Sequence, residues 1–202
     1  MCNHQQLTSG STGQILLSPF LYQKSRQQNL LGEPGVSTLK ETKMDLDDLI
    51  KKSEELGDKV CVSGGATSDQ IEVLESAIGF NLPVSYKRFL KKYGCIDSAK
   101  GCISGIATEN PLIMRGGNLY ADTLFMRKDY SEQFTVPEYI WVLEKHEDGA
   151  YCFNTQINTK GDELAIVNYE PYLPEENLTR IIASSFEEYL DERYFASVKD
   201  WY

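Results

Sequence analysis

Histidine is nearly absent from this chain: His4 and His146 are the two among 202 residues. Histidine is the usual general base near neutral pH, so Cys–His or Ser–His catalysis would have to use His146, beside Glu147 and Asp148 in a turn. Gly101-Cys-Ile-Ser-Gly105 carries its serine one place late for a nucleophile elbow. P-loop, dinucleotide fingerprint, zinc-ligand spacing and EF-hand loop are all missing, so neither a cofactor nor a metal is expected. Paired carboxylates are plentiful, but an acidic surface produces them by chance. The expectation is a protein without catalytic chemistry. A hydrolase using Cys102 or Cys152 with His146 is the remote alternative.

Positive charge is short as well. Twenty Lys and Arg stand against 30 Asp and Glu, a net charge of −10, which argues against DNA, RNA or an anionic membrane as a direct ligand. It fits a basic protein partner, and enzymes that cleave nucleic acid are often basic because they must hold phosphates. A merely soluble acidic protein would show the same balance. Five cysteines (Cys2, Cys61, Cys95, Cys102, Cys152) are scattered without CxxC spacing, which is no disulfide framework and indicates a reducing compartment. An apolar run long enough for a transmembrane helix is lacking. The N-terminus lacks a charged region followed by an apolar one. The expected location is the cytosol, so the sequon at Asn177-Leu-Thr179 carries no weight.

What is present is organised around Thr67 to Gly94. Thr67 is a natural N-cap, and Gln70 three residues on completes a capping box. Ile71, Leu74 and Ile78 share one helical face, and Gly79 supplies a left-handed cap. Pro83 opens a second helix, where its missing N–H costs nothing. Tyr86, Phe89, Leu90 and Tyr93 form its apolar stripe, and Gly94 ends it. The expectation is a helix–corner–helix.

The ordered series Glu75, Ile78-Gly79, Leu82-Pro83, Tyr86-Lys87, Phe89-Leu90 and Tyr93-Gly94 resembles the opening signature of the SUKH superfamily, which contains fungal Smi/Knr cell-wall regulators and many bacterial immunity proteins. Later segments resemble it too: Cys102–Ile106 as the first strand after the helix pair, Thr123 with Arg127 on a following helix, and Ser184–Leu190, with Phe186, as the closing helix. The resemblance covers roughly Asp45 to Phe195.

In chain order, residues 1–43 are polar and rich in Gly, Ser and Gln, and are expected to be a largely flexible extension carrying one short apolar piece, Ile15–Tyr22. Met44 is a candidate start for the folded domain, 44–202. Asp45 to Gly57 reads as a helix with Leu46, Leu49, Ile50 and Leu56 facing the core. Val60–Val62 is a short extended link, and Asn118–Arg127 a helix. Tyr139–Leu143, apolar on both faces, reads as a central strand. Glu147-Asp148-Gly149 is a hairpin turn leading to Ala150–Asn154, and a turn over Asn158–Asp162 leads to Leu164–Val167. Ser185 and Glu188 form a second capping box, with Phe186, Tyr189, Leu190 and Tyr194 on the apolar side. The fold class is α+β: one mostly antiparallel sheet with helices packed on one side.

Two surface features remain. Lys87, Arg88, Lys91 and Lys92 form a basic strip on the second helix, either a solvated face or a partner contact. Opposed to it are acids at strand ends and loops: Glu144, Glu147, Asp148, Asp162, Glu163, Glu170, Glu175 and Glu176, with Tyr169 and Tyr172 interleaved. They are either a solvated rim or one continuous patch steering a basic partner. The resemblance implies a non-catalytic immunity protein that binds a cognate polymorphic toxin, often a nuclease or deaminase, and covers its cleft. A regulatory scaffold of the Smi/Knr cell-wall kind is the alternative.

Overall fold

Local signals dominate the first half of the domain. The structure, a computed structural model, describes residues 45–130, 134–173 and 180–196; the extension expected over 1–43 lies outside them, as do Glu175, Glu176 and the sequon. Helix α1 (Leu46–Glu55) is capped by the Asp45 side chain, and the short strand β1 (Cys61–Val62) follows. Helix α2 (Ser68–Ile78) starts on the Thr67–Gln70 box, with both reciprocal bonds made, and stops on Gly79 at φ 79°. Helix α3 (Val84–Tyr93) begins one residue later than expected, with Pro83 as N-cap rather than first helical residue. Leu56 is the C-cap of α1 and is 54% exposed, so it leaves the expected core face.

The rest is sheet. Strands β2 (Ile96–Ser98) and β3 (Gly101–Ile103) precede helix α4 (Leu119–Tyr130); β4 (Ile140–His146), β5 (Gly149–Asn158), β6 (Leu164–Tyr169) and β7 (Ile181–Ala183) follow it, and α5 (Phe186–Tyr189) runs into a π turn, Leu190–Tyr194. Among the described residues the strands make one seven-stranded sheet whose order follows the chain, each neighbouring pair antiparallel. β4, the strand apolar on both faces, is the middle one, as both-sided burial requires.

One face of the sheet carries the main core. Trp141, Leu143, Phe153 and Ile166 pack there with Leu49 of α1, Leu74 of α2, Phe89 and Leu90 of α3, and Phe186 and Tyr189 of α5. The other face holds a smaller cluster of Ile140, Val142, Cys152 and Val167 with Met126 of α4. Helix α4 departs from the single-sided helix layer, because Leu119 belongs to the first cluster and Met126 to the second. It lies along the edge of β4 that the short β3 leaves open. Thr123 Oγ1 accepts from Val142 N (2.9 Å), and Arg127 Nη2 donates to the carbonyls of Glu138 (2.9 Å) and Ile140 (3.2 Å). Those two residues thus replace strand pairing on β4. Thr123→Val keeps the shape but leaves a buried N–H without an acceptor, and should cost about 1–3 kcal/mol in urea unfolding.

The basic strip of α3 ties helices together. Lys87 reaches Glu75 of α2 (2.6 Å), Arg88 reaches Glu187 of α5 (2.7 Å), and Lys92 reaches Asp47 ahead on α1 (2.7 Å), where Tyr93 also donates (2.6 Å). These bonds hold the Asp47 carboxyl below its ordinary range, the Lys92 bond most of all. The exposed Arg88 and Lys92 pairs contribute only about 0–1 kcal/mol each, so their effect is on helix placement more than on stability. The closing box forms by half: Ser185 Oγ accepts from Glu188 N (3.1 Å), but the Glu188 carboxylate turns to Ser184 N (2.8 Å).

Candidate functional site at one end of the sheet

The acids expected to form one patch fall at opposite ends of the sheet. Glu147 and Asp148 are the two residues of the β4–β5 hairpin, since His146 pairs with Gly149. Ala150 pairs with Tyr169, so Glu170 and the exposed Tyr172 lie at this same end. Asp162 and Glu163 sit on the β5–β6 turn at the far end, roughly 30 Å away along the ten-residue β5. Glu163 is occupied there: its carboxylate accepts from Ser85 N (3.0 Å) and Ser85 Oγ (2.5 Å). It caps α3, whose N-cap Pro83 makes no side-chain bond, and its charge faces the positive end of the helix dipole. Tyr169 is buried on the smaller-core face, so it cannot offer contact area. Glu147, Asp148, Glu170 and Tyr172 are what remains of the patch among the described residues.

Glu144 is the exception within this group. It is 8% exposed, yet it lines an open pocket. A β-bulge between Val142 and Glu144 shifts the register so that Glu144 pairs with Tyr151. Regular alternation would have sent residue 144 to the face of Val142; the bulge turns it towards the helices. There Tyr189 Oη donates to its Oε2. From the other side, the π turn brings Arg193 and Tyr194 to the same place, with Phe195 N bonding Leu190 O (3.0 Å). Two departures from regular geometry, of kinds that recur at functional sites, therefore aim side chains at one pocket. Its volume is about 490 Å³, and Lys100, Glu144, Tyr151, Glu192, Arg193 and Tyr194 line it.

The neighbouring polar groups are connected. Asp148 N donates to His146 Nδ1 (3.3 Å), which leaves the proton on Nε2, within 2.8 Å of Asn168 Oδ1. Asn168 Nδ2 donates onward to Glu170. The His146 ring lies 4.7 Å from that of Tyr151, and the Arg193 guanidinium lies over the Tyr151 ring at 4.2 Å from its centroid, donating to its hydroxyl. With both ring nitrogens engaged, His146 has no free base to offer. Burial pushes the Cys102 thiol up to about 12 and the Cys152 thiol higher still, and Cys152 lies on the opposite face of the sheet. Burial thus disfavours the thiolate at both cysteines, and the sheet separates Cys152 from His146.

Burial raises the Glu144 carboxyl above its ordinary value of 4.5, against the opposing effects of the Tyr189 bond and the charges of Arg193 and His146. A carboxyl raised on folding contributes stability that is full below the unfolded value and lost as pH climbs through the folded one. Ionised Glu144 is therefore expected to cost stability at pH 7. Glu144→Gln, which keeps an acceptor for Tyr189, should raise the melting temperature at pH 7 and match the wild type below about pH 4; an unchanged or lowered melting temperature at pH 7 would show the carboxylate to be stabilising.

The residues that carry the family signature have other duties. Glu75 Oε1 accepts from Leu82 N (2.6 Å) and pairs with Lys87, pinning the corner between α2 and α3. Gly79, Leu82, Pro83, Tyr86, Phe89, Leu90, Gly94 and Phe186 build that corner or the core behind it. None of them lines the pocket. Arg193, Tyr151 and Tyr189 escaped sequence reasoning as pocket residues, since Tyr151 reads as part of a strand, Tyr189 as part of an apolar helix face, and Arg193 is given no role.

A chain-ordered antiparallel sheet, most of its helices layered on one face and a pinned helix corner at its head define the architecture of a SUKH-type domain. The family model described as SMI1-KNR4 cell-wall matches residues 46–195, and the chain belongs to this family of the SUKH superfamily. Membership fits an immunity-like or Smi/Knr-type protein. Among the described residues, no helix is long and apolar enough to cross a membrane.

Proposed function

We propose that this protein is a non-catalytic bacterial immunity protein that acts in the cytosol, binding a cognate polymorphic toxin with a nuclease- or deaminase-like domain and blocking its cleft. The reading is supported by one juxtaposition above all: the exposed Glu147, Asp148 and Tyr172, with the half-buried Glu170, stand at the sheet end that also carries the Glu144 pocket, in a chain of net charge −10. An acidic end with aromatic contact area steers and covers a basic, phosphate-binding cleft. Asp162, Glu163, Glu144 and Tyr169 take no direct part in that rim, and Glu163 is left to cap α3.

The wall-related description of the matched family favours a second reading, a regulatory scaffold for cell-wall synthesis. Tagged protein used as bait in lysate of the native host, followed by mass spectrometry, separates the two. A single stoichiometric basic protein with a nuclease- or deaminase-like domain, lost when Glu147, Asp148 and Glu170 are changed to lysine, is the expected result. Kinases or wall-synthesis proteins retained by wild type and variant alike would establish the scaffold and overturn immunity by occlusion.

A further inference from the structure

The hairpin that carries two of the rim acids is tied by a side chain able to change its charge. Glu147 and Asp148 fill a two-residue connection whose base is fixed, since an added Cβ on Gly149 would collide with Tyr169 O. Above that base, Asp148 N donates to His146 Nδ1 (3.3 Å). A ring nitrogen that accepts carries no proton, so the neutral ring donates from Nε2 to Asn168 Oδ1 (2.8 Å). That fixes the Asn168 amide, whose Nδ2 donates to Glu170 Oε1. The donors run in one direction, from Asp148 through His146 and Asn168 to Glu170, and join the loop after β4 to the loop after β6. Protonation reverses the first step. An imidazolium donates from both nitrogens, so Nδ1–H and Asp148 N–H meet as two donors. It also brings a second cation to the Tyr151 ring, which already carries Arg193 at 4.2 Å. The charged groups around His146 are Glu144 and Lys145 beside it on β4, Glu147 and Asp148 at the tip, and Glu170 beyond Asn168. Arg193 lies across Tyr151, and Asp129 of α4 shares with Lys145 and His146 a cavity of about 110 Å³.

We propose that His146 and Asn168 are positioning residues for the acidic rim, holding Asp148 and Glu170 in a fixed array for the basic partner, and that protonation of His146 releases that array. The proposal rests on the reading of this sheet end as the surface for a basic protein and adds its regulation: the rim is set while the ring is neutral and loosened in acid. Release weakens binding in two ways. A loosened tip has to be ordered again on association, and an imidazolium inside the patch offsets one of its negative charges.

The test uses the full chain without a partner. Imidazole 1H–15N spectra at pH 8 should show His146 as the Nε2–H tautomer. As pH is lowered from 8 to about 5, the interval in which histidine changes charge, the Asp148 amide, the Asn168 side-chain amide and the Glu170 amide should shift with the midpoint of the His146 ring. Burial raises the Glu144 carboxyl, and Glu144→Gln, which removes that titration, should leave the three shifts in place. His146→Gln offers Asp148 an uncharged acceptor, and should keep its amide protected from exchange while abolishing the coupled shifts. Asn168→Ala should uncouple Glu170 alone. With a basic partner in hand, the wild type should lose about tenfold more affinity than His146→Gln between the two pH values. An Nδ1–H tautomer, amide midpoints that differ from that of the ring, or the same pH response in His146→Gln would overturn the proposal. Such a failure leaves neutralisation by the acidic rim standing, and failure to find a toxin leaves these spectra readable.

Discussion

Replacing Tyr86 by alanine should destabilise the domain by about 4 kcal/mol, the range for removing a buried aromatic ring. Tyr86 is fully buried, meets the rings of Phe153 and Phe186 edge-on at 5.0 and 4.9 Å, and stacks with Phe89 at 5.8 Å. Its hydroxyl donates to Ser104 O (2.6 Å), which joins α3 to the sheet. A loss of this size is a large share of the about 5–15 kcal/mol that holds a domain together. Tyr86→Phe divides the effect, removing only the hydrogen bond and leaving Ser104 O unpaired, for about 1–2 kcal/mol. Urea unfolding of both variants measures the two parts. Equal losses would mean that the ring packing contributes nothing, contrary to the core described here.

Gly94→Ala should be nearly as damaging, at about 3 kcal/mol or more, because backbone strain and steric conflict act together. Gly94 has φ 72°, and a Cβ there would stand 2.2 Å from both Gly64 O and Ser63 Oγ, and 2.7 Å from Ile106 O. Three segments converge on it: Ile106 N donates to Gly94 O (3.0 Å), Ser63 Oγ donates to Ile106 O (3.0 Å), and Cys95 N donates to Ser63 Oγ (3.0 Å). Backbone cannot retreat there without breaking β1 from β2. Gly79 is the control. Its φ is 79° but nothing lies within 4 Å of an added Cβ, so Gly79→Ala should cost only the left-handed penalty of about 1 kcal/mol. If thermal unfolding gives the two variants the same loss, crowding at Gly94 is not the cause.

The helix pair was legible in the sequence because its determinants are local: a box at Thr67 and Gln70, a left-handed stop at Gly79, and an apolar stripe on α3. The central position of β4 was legible for a similar reason, since a strand apolar on both faces has to be covered on both. Strands β1, β2 and β7 were not, because two or three residues are too few to show alternation. The bulge at Glu144 and the π turn carrying Arg193 leave no periodic trace, and so the pocket they make together could not be read in advance. Nor could the destination of the α3 cations, which find their acids on α1, α2 and α5 by tertiary packing. The acidic rim was half visible. Its residues were named, but the ten residues of β5 hold two groups of them apart, and that distance belongs to the sheet.

The central claim is that the sheet end bearing Glu147, Asp148 and Glu170 neutralises a basic toxin. It is tested most directly by titrating this protein into the toxin domain recovered with it and following the nuclease or deaminase activity. The account predicts a linear fall to zero at one equivalent, and a much weaker inhibition by the variant with those three acids changed to lysine. Full activity at saturating wild-type protein, or equal inhibition by the charge-reversed variant, would contradict it.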